Sequence, residues 1–565
     1  MDEQADFLAA LRRIVGAARV HTTDQKTRRF RMGFRHEGGH ALAAVQPRSL
    51  LELWRVLSVC VSARKIVIPQ AANTGLTGGS TPAPEGYDRD AVIVNMMHIG
   101  GVRIIDHGRQ VICLPGATLH QLERALKPLG REPHSVIGSS CLGASVIGGI
   151  CNNSGGSLIR RGPAYTELAL FARVSDRGDL QLINHLGIRL GEDPEDILAR
   201  LERGEFAEGD IEYPVHQQAS DRDYEQRIRQ VDSERPTRFN ADPRRLFEAS
   251  GSAGHVIVFA VRLDTFPSDQ QTRVFYIGTN DPGELTMIRR HMLSRFQNLP
   301  VAGEYLHRDA FNLAQTYGKD TFLAVRHLGT DRLPHFFRLR SAFDQWAKQM
   351  GFGAAALSDR LLQLVASLMP QHLPRRMREY RDRFEHHLLL KMANSGVSEA
   401  ESYLRSLFPS ASGDMFICTA EEGAKAFLHR FAAAGAAIRY RALHARQVQD
   451  LVALDVALKA SDRNWLEKLP PPLSEQIRGT FYYGHFFCHV FHQDYLVKKG
   501  CDPAAVKRAL LQILDQRGAE YPAEHNVGHQ YRAKQEMIDF YRELDPSNSL
   551  NPGVGQTSRK ENWAG

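Results

Sequence analysis

The sequence predicts an α+β protein of two or three domains, and three observations predict it. Its 565 residues are too many for a single hydrophobic core. Through about residue 264, short apolar runs alternate with amphipathic helical stretches, the pattern of an α/β or α+β layer. From about residue 273 the chain turns more basic and aromatic, as a second unit with a different task would.

The elements follow in order. Residues 4–18 place Phe7, Leu8, Leu11, Ile14 and Val15 on one helical stripe. Residues 41–45 read as a short strand. Ser49-Leu50-Leu51-Glu52 is a capping box, and Leu53, Val56, Leu57 and Cys60 continue its helix. Strands are expected at 65–68, 91–94 and 111–114, then a helix capped by Thr118 and carrying Leu119, Leu122, Ala125 and Leu126. Residues 190–245 are strongly charged and read as an exposed insertion. Strands follow at 256–261 and 274–277, and helices at 284–296, 427–442 and 447–460. Residues 481–495 have a strand-like composition rich in aromatics and histidine.

Composition narrows the function. Hydrophobic content of 43% and charged content of 24% are those of a folded globular chain. No run of about 18 apolar residues offers a spanning helix. The acidic start, Met1-Asp2-Glu3-Gln4, argues against a signal peptide. Seven cysteines, odd in number and without Cys-x-x-Cys, suggest unpaired thiols in a reducing cytoplasm. Net charge is +7, and the segment 319–391 holds thirteen Lys/Arg against seven Asp/Glu, nearly the whole excess. It mixes Phe336, Phe337, Phe343, Trp346 and Phe352 with arginines, which fits a helix lying on an anionic membrane surface as well as a solvated helical face.

Three glycine-rich stretches carry the cofactor expectation. The first, Pro69 to Ser80, follows a buried strand and is built of small residues whose backbone N–H groups can turn toward an anion. The second, residues 137–156, holds six glycines and almost no large or charged side chain, so it is expected to lie buried against something flat. The third is Gly251-Ser252-Ala253-Gly254, which leads into a buried strand. No P-loop and no Gly-x-Ser-x-Gly elbow occurs. Gly351-Phe352-Gly353 matches a dinucleotide fingerprint loosely, but it follows a helical pattern rather than a strand. Two histidine clusters stand out: His485, His489 and His492, and the Glu524-His525 pair, which offers a ligand and a base from one short loop. On strand parity His485 and His489 share a face, with His492 opposite unless a turn intervenes.

In this order and spacing the three glycine stretches resemble the flavin domain of the vanillyl-alcohol oxidase / p-cresol methylhydroxylase family. The resemblance implies a two-subdomain FAD-binding domain, an α+β cap domain and a helical basic membrane-binding segment. It implies that Ala71, Ala72, Asn73, Thr74, Gly75, Gly79 and Ser80 hold the FAD pyrophosphate. Gly138, Ser145 and Gly155 would line the flavin, and Val258 would touch the adenine. Longer runs are similar to the respiratory, quinone-dependent D-lactate dehydrogenases of bacteria: 70–77, 132–156, 426–431, 482–485 and 497–500. That resemblance implies D-lactate as substrate, non-covalent FAD, and ubiquinone or menaquinone as acceptor. It also implies peripheral attachment to anionic phospholipid on the cytoplasmic face of the cell inner membrane, with no nucleic acid as partner. No histidine lies in the 70–80 loop, which agrees with a non-covalent flavin.

In related FAD-linked 2-hydroxyacid dehydrogenases, two histidines seven apart and the Glu of a Glu-His pair bind a divalent metal, and the paired His is the base. The resemblance carries the metal role to His485, His492 and Glu524 and the catalytic role to His525. The chain departs from those relatives in reading Glu524-His525-Asn526 where Glu-His-Gly is usual, and in having Phe486 to Phe491 where they have a glycine-rich loop. The expected domains are 1–264 with 515–565 (FAD), 265–306 with 392–514 (cap, substrate), and 307–391 (membrane). Arg381, Arg383 or Arg439 is expected to bind the lactate carboxylate. The competing reading is a soluble FAD-dependent dehydrogenase of another D-2-hydroxyacid that passes electrons to a protein.

Overall fold

A computed structural model of the chain describes residues 3–33, 38–134, 143–214, 216–328 and 357–564. Gly138, the stretch 336–352 and the loose fingerprint at 351–353 lie outside the described residues.

The first sheet is small and mostly parallel. It is built from β1 (Val20–His21), β2 (Ala43–Val45), β3 (Ile66–Gln70) and β4 (Ala91–Asn95), in the order β1-β2-β4-β3. β2, β3 and β4 pair in parallel. The helix Leu50–Ser62 covers this sheet with Leu53, Val56, Leu57 and Cys60 fully buried. Ser49 caps it by accepting from the Glu52 N–H.

The second sheet begins with β5 (Val102–Ile105) and β6 (Gln110–Cys113), while β7 (Arg131–Glu132) stands apart. β8 (Ala169–Val174), β9 (Leu180–Asn184) and β10 (Ile257–Asp264) complete it in the antiparallel order β5-β6-β10-β8-β9. β11 (Phe266–Pro267) pairs with β7 as a short ribbon. Thr118 caps the helix Leu119–Leu126 in a full capping box with Gln121. The stretch 190–245 is not a solvated insertion throughout. Leu190, Ile197, Leu198 and Leu201 are buried in the core shared with the first sheet, and Arg238 and Arg245 are buried as well. A surplus of charged residues masked apolar positions at helical spacing.

The third sheet has seven strands: β12 (Thr272–Thr279), β13 (Ala302–His307), β14 (His386–Ala393), β15 (Gly413–Ile417), β16 (Val448–Ala457), β17 (Ile477–His485) and β18 (Val490–Lys498). Their order is β15-β12-β14-β13-β17-β18-β16. Residues 447–460, expected as helix, are largely the strand β16. Apolar residues at 448, 451, 452 and 456 satisfy a helical stripe, but the β-branched valines pair along β18 from Ala457↔Val490 to Val448↔Lys498. One face of the sheet is covered by the helices Arg308–Tyr317 and Ala420–Leu443, with Phe311, Leu306, Leu389 and Tyr483 in that core. The C-terminal segment returns to the first sheet, where Asn551 N–H donates to Val67 O and Val67 N–H to Ser549 O.

Candidate active site

Four neighbouring strands assemble the polar cluster. Glu304 on β13 pairs with His485 on β17, Tyr483 on β17 pairs with His492 on β18, and His492 pairs with Asp455 on β16. Directly opposed residues share a face, as do residues two apart along a strand. Glu304, His485, Tyr483, His492 and Asp455 therefore form one row. The turn Phe486–Cys488, with His489 at φ 55, reverses the chain between the histidines. It returns His492 to the face of His485, while His489 is buried with its Nδ1 2.8 Å from Lys459 O. His485 and His489 thus part, and the seven-residue spacing is what survives.

A segment from the C-terminal part closes the row. Ala457 and Glu520 exchange backbone hydrogen bonds, so residues 519–523 run along the free edge of β16. The next residue is Glu524. Its N–H donates to Asp455 Oδ2 at 2.7 Å, and its Oε2 lies 3.1 Å from His485 Nε2. His485 Nδ1 is 2.6 Å from Glu304 Oε1, and Arg430 Nε is 3.0 Å from Glu304 Oε2. Arg238 donates to Glu524 Oε1 and to the Gly156 carbonyl. His492 Nδ1 lies 3.4 Å from Asp455 Oδ1, and His525 Nε2 lies 3.7 Å from Asp455 Oδ2. His525 is the exposed member, with 32% of its side chain accessible.

Burial and charge work against each other here. Burial would lower His485, but Glu304 and Glu524 on either side outweigh it and lift the imidazole to about 10. Burial would raise Glu524, yet His485 and Arg238 hold it well below its ordinary range. Asp455 is likewise lowered by His525 and His492 despite burial. The row is a store of anionic oxygens around imidazoles.

The three glycine stretches converge beside it. Asn551 Nδ2 donates to Gly79 O at 2.7 Å and to Ala253 O at 2.6 Å, joining the first and third stretches. Gly251 N–H donates to Ile150 O and Ala253 N–H to Cys151 O, joining the third and second. Thr77 Oγ1 donates to Asn526 O, and Asn526 Nδ2 donates to Asn152 Oδ1 at 2.8 Å, tying the first and second through the Glu-His-Asn loop. Asn73 adopts φ 53 and is held by its bonds to Met32 O and from Ser80 Oγ. Among the described residues, no backbone carbonyl accepts the N–H groups of Ala72 to Leu76, and a Cβ on Gly75 would meet nothing within 4 Å. A loop with a row of open N–H donors and no side chain in the way fits a pyrophosphate. Ser145 caps the helix Val146–Cys151, and Val258 is buried at the bulge of β10. A Cβ on Gly155 would lie 2.5 Å from Glu524 Oε1, so the second stretch and the carboxylate cluster are in direct contact.

His485, His492 and Glu524 offer ligand atoms all within 4.8 Å of one another. Each histidine has a carboxylate on its other nitrogen, Glu304 for His485 and Asp455 for His492. That outer pairing is the arrangement metal-bound histidines have, and a cation here would take the place of the His485 Nε2 proton that now faces Glu524. The donor set fits a divalent cation.

Arg381, Arg383 and Arg439 are engaged elsewhere. Arg439 pairs with Asp320, Arg383 with Asp414, and Arg381 with Asn312 and Asp382. Glu304, Asp455, Arg238, Arg430, Asn526 and Asn551 were not singled out in the sequence for the parts they play. Each is a lone polar residue whose meaning comes only from register or from a long-range contact.

A flavin cradle of three stapled loops, set against a His/carboxylate row on a cap sheet, defines an FAD-binding oxidoreductase of the vanillyl-alcohol oxidase / p-cresol methylhydroxylase fold. A solved structure of p-cresol methylhydroxylase with substrate bound superposes with a TM-score of 0.57 at 12% identity, covering 98% of this chain and 97% of that one. The family described as "FAD binding domain" matches residues 41–176, and "D-lactate dehydrogenase, membrane binding" matches residues 274–563. The quinone-dependent D-lactate dehydrogenase of Escherichia coli (strain K12) is 57% identical over 557 residues, covering 99% of this chain and 97% of that protein. The Haemophilus influenzae enzyme of that name is 54% identical over 99% of each chain. The chain belongs to the family of quinone-dependent D-lactate dehydrogenases.

Proposed function

We propose that this protein oxidises D-lactate to pyruvate and passes the two electrons to ubiquinone or menaquinone in the membrane. The observation that carries the reading is the contact of Gly155 with Glu524, which sets the imidazole row against the flavin cradle. FAD supplies the hydride acceptor. Every other part falls to side chains of the chain. Ala71, Ala72, Asn73, Thr74, Gly75, Gly79 and Ser80 would hold the pyrophosphate, Ser145 and Gly155 would line the flavin, and Val258 would touch the adenine. His525 takes the hydroxyl proton on a ring nitrogen, and Asp455 behind it stabilises the imidazolium that forms. Arg430 receives the lactate carboxylate. It is buried on the same face, and its terminal Nη2 has no protein acceptor among the described residues. His485, His492 and Glu524 would hold a divalent cation, which would supply Lewis-acid polarisation of the substrate hydroxyl.

Attachment is assigned to the basic segment. On the helix Leu357–Leu368 and just after it, Leu361, Leu364, Val365, Leu368 and Met369 are exposed, Leu368 to 80%. Spacings of three and four put them on one face, and Arg375, Arg376 and Arg378 follow within ten residues. Apolar residues beside arginines suit the interface of an anionic bilayer. Among the described residues no helix is long and apolar enough to cross a membrane, which supports peripheral attachment, here to the cytoplasmic face of the inner membrane. This exposed face favours a membrane quinone over a soluble protein acceptor.

The test is D-lactate-dependent quinone reduction by wild type and His525→Ala. Loss of the base lowers turnover by about 10²–10⁴-fold. Undiminished turnover in the variant would remove His525 from the mechanism.

A further inference from the structure

A second group of histidines lies on the same face of the third sheet, nearer the exposed helix. His387 is on β14, His429 on the helix Ala420–Leu443, and His372 in the link after the helix Leu357–Leu368. All three are buried, His387 and His429 completely. They surround two phenylalanines. Phe311 lies 4.3 Å from the His429 ring and 5.5 Å from the His387 ring, and Phe322 lies 4.5 Å from the His372 ring. The His372 and His429 rings are 6.3 Å apart.

Among the described residues, neither ring nitrogen of any of the three makes a hydrogen bond of good geometry, and only the Phe311 backbone comes close, beside His429. Burial pushes His372 down to about 4 and His387 and His429 to about 3, so all are neutral at physiological pH. A neutral imidazole carries one N–H donor and one acceptor nitrogen. Leaving such a group unpaired in a core costs about 1–3 kcal/mol. Three together, in a core where Leu or Phe would pack as well, point to a ligand that completes them.

We propose that His372, His387 and His429 form the headgroup site for the membrane quinone. This rests on the reading above that a quinone is the electron acceptor. A quinone ring is flat and apolar, with two carbonyl oxygens on opposite sides. Imidazole nitrogens set edge-on or tilted against Phe311 and Phe322 supply both the donors and the apolar walls that such a ring takes. Position fits as well. His372 is three residues beyond Met369, the last member of the exposed apolar face, so the isoprenoid tail would leave toward lipid. In the other direction, His387 pairs with Leu306, Leu306 with Tyr483, and Tyr483 with His492. Three strand spacings, about 14 Å, separate His387 from His492 along one face. Lactate loses two electrons and two protons in becoming pyruvate, and a quinone gains two of each in becoming a quinol, so the overall reaction balances.

The test uses FAD-loaded full-length enzyme on anionic vesicles containing ubiquinone, with His387→Phe, His429→Leu and His429→Gln. Three readouts are compared: D-lactate-dependent quinone reduction, D-lactate-dependent reduction of a soluble dye, and the thermal midpoint. The site predicts a KM for quinone raised about tenfold in His387→Phe and His429→Leu, with dye reduction kept within about twofold. His429→Gln, which keeps an N–H donor, recovers most of the quinone activity. The thermal midpoint of the Phe and Leu variants stays level or rises, because unpaired buried nitrogens have gone. Unchanged quinone kinetics would overturn the site, and so would a parallel fall of quinone and dye reduction. Wild type that reduces dye but no quinone would refute the acceptor reading itself, and the headgroup site with it.

Discussion

At the scale of single residues, the site is a set of carboxylates held anionic by bases. Arg238 shows what that holding is worth. It is 2% exposed and gives its Nη2 to Glu524. Removing one partner of a buried pair strands the other charge. Arg238→Met should therefore destabilise the fold by about 3 kcal/mol in urea unfolding. A change under about 0.5 kcal/mol would mean that His485 alone secures Glu524. Asp455 faces both His492 and His525 and accepts the Glu524 N–H. Asp455→Asn keeps the shape and removes the charge, so it should lower kcat by about 10²-fold while leaving bound flavin unchanged. Equal losses of flavin and activity would make Asp455 a structural residue.

At the scale of elements, the cofactor cradle depends on asparagines that lie outside the glycine stretches. Asn551 bonds to both Gly79 O and Ala253 O. Asn551→Ala loses two buried hydrogen bonds, each about 1 kcal/mol, and should weaken FAD binding by about tenfold or more, read as flavin released on dilution. Unaltered flavin retention would show that the loops hold their shape without this staple. The strands beside the first and third glycine stretches and the Thr118 cap were legible in the sequence, because periodicity and capping boxes are local signals; the His485–His492–Glu524 grouping came from the family resemblance, since strand parity alone sets His492 opposite His485 unless a turn intervenes. Glu304 and Asp455 were not, since a single acid in an apolar strand acquires meaning only from the partner opposite it. β16 was misread for the same reason: its apolar spacing suits a helix, and pairing with β18 decides otherwise. Arg238 was hidden in a charged stretch that composition alone marks as surface.

At the scale of the whole molecule, buried neutral histidines set the acid limit of stability. His134, His255, His372, His386, His387 and His429 are all lowered by burial, to between about 3 and about 4. Each binds a proton more readily once unfolded, so its contribution to stability is complete above about pH 6.5 and is lost as pH falls from there toward 4. The thermal midpoint should drop steeply across that window. His255, stacked on Tyr541 at 4.3 Å, is a clean probe, and His255→Phe should flatten the slope. An unaltered slope would exclude it as a contributor. The exposed helix face belongs to this scale too. Leu364→Glu with Leu368→Glu should reduce partitioning onto anionic vesicles by at least about tenfold while sparing dye reduction. Vesicle binding equal to wild type would place the membrane contact elsewhere.

The central claim is that D-lactate is oxidised by flavin at the His525 end of this row. The most direct measurement is anaerobic mixing of the FAD-loaded protein with D-lactate, followed by the visible flavin absorbance. Rapid bleaching by D-lactate, none by L-lactate, and bleaching slowed about 10²-fold or more in His525→Ala is the predicted result. Absorbance that does not change with D-lactate, or bleaching at the wild-type rate in His525→Ala, would contradict it.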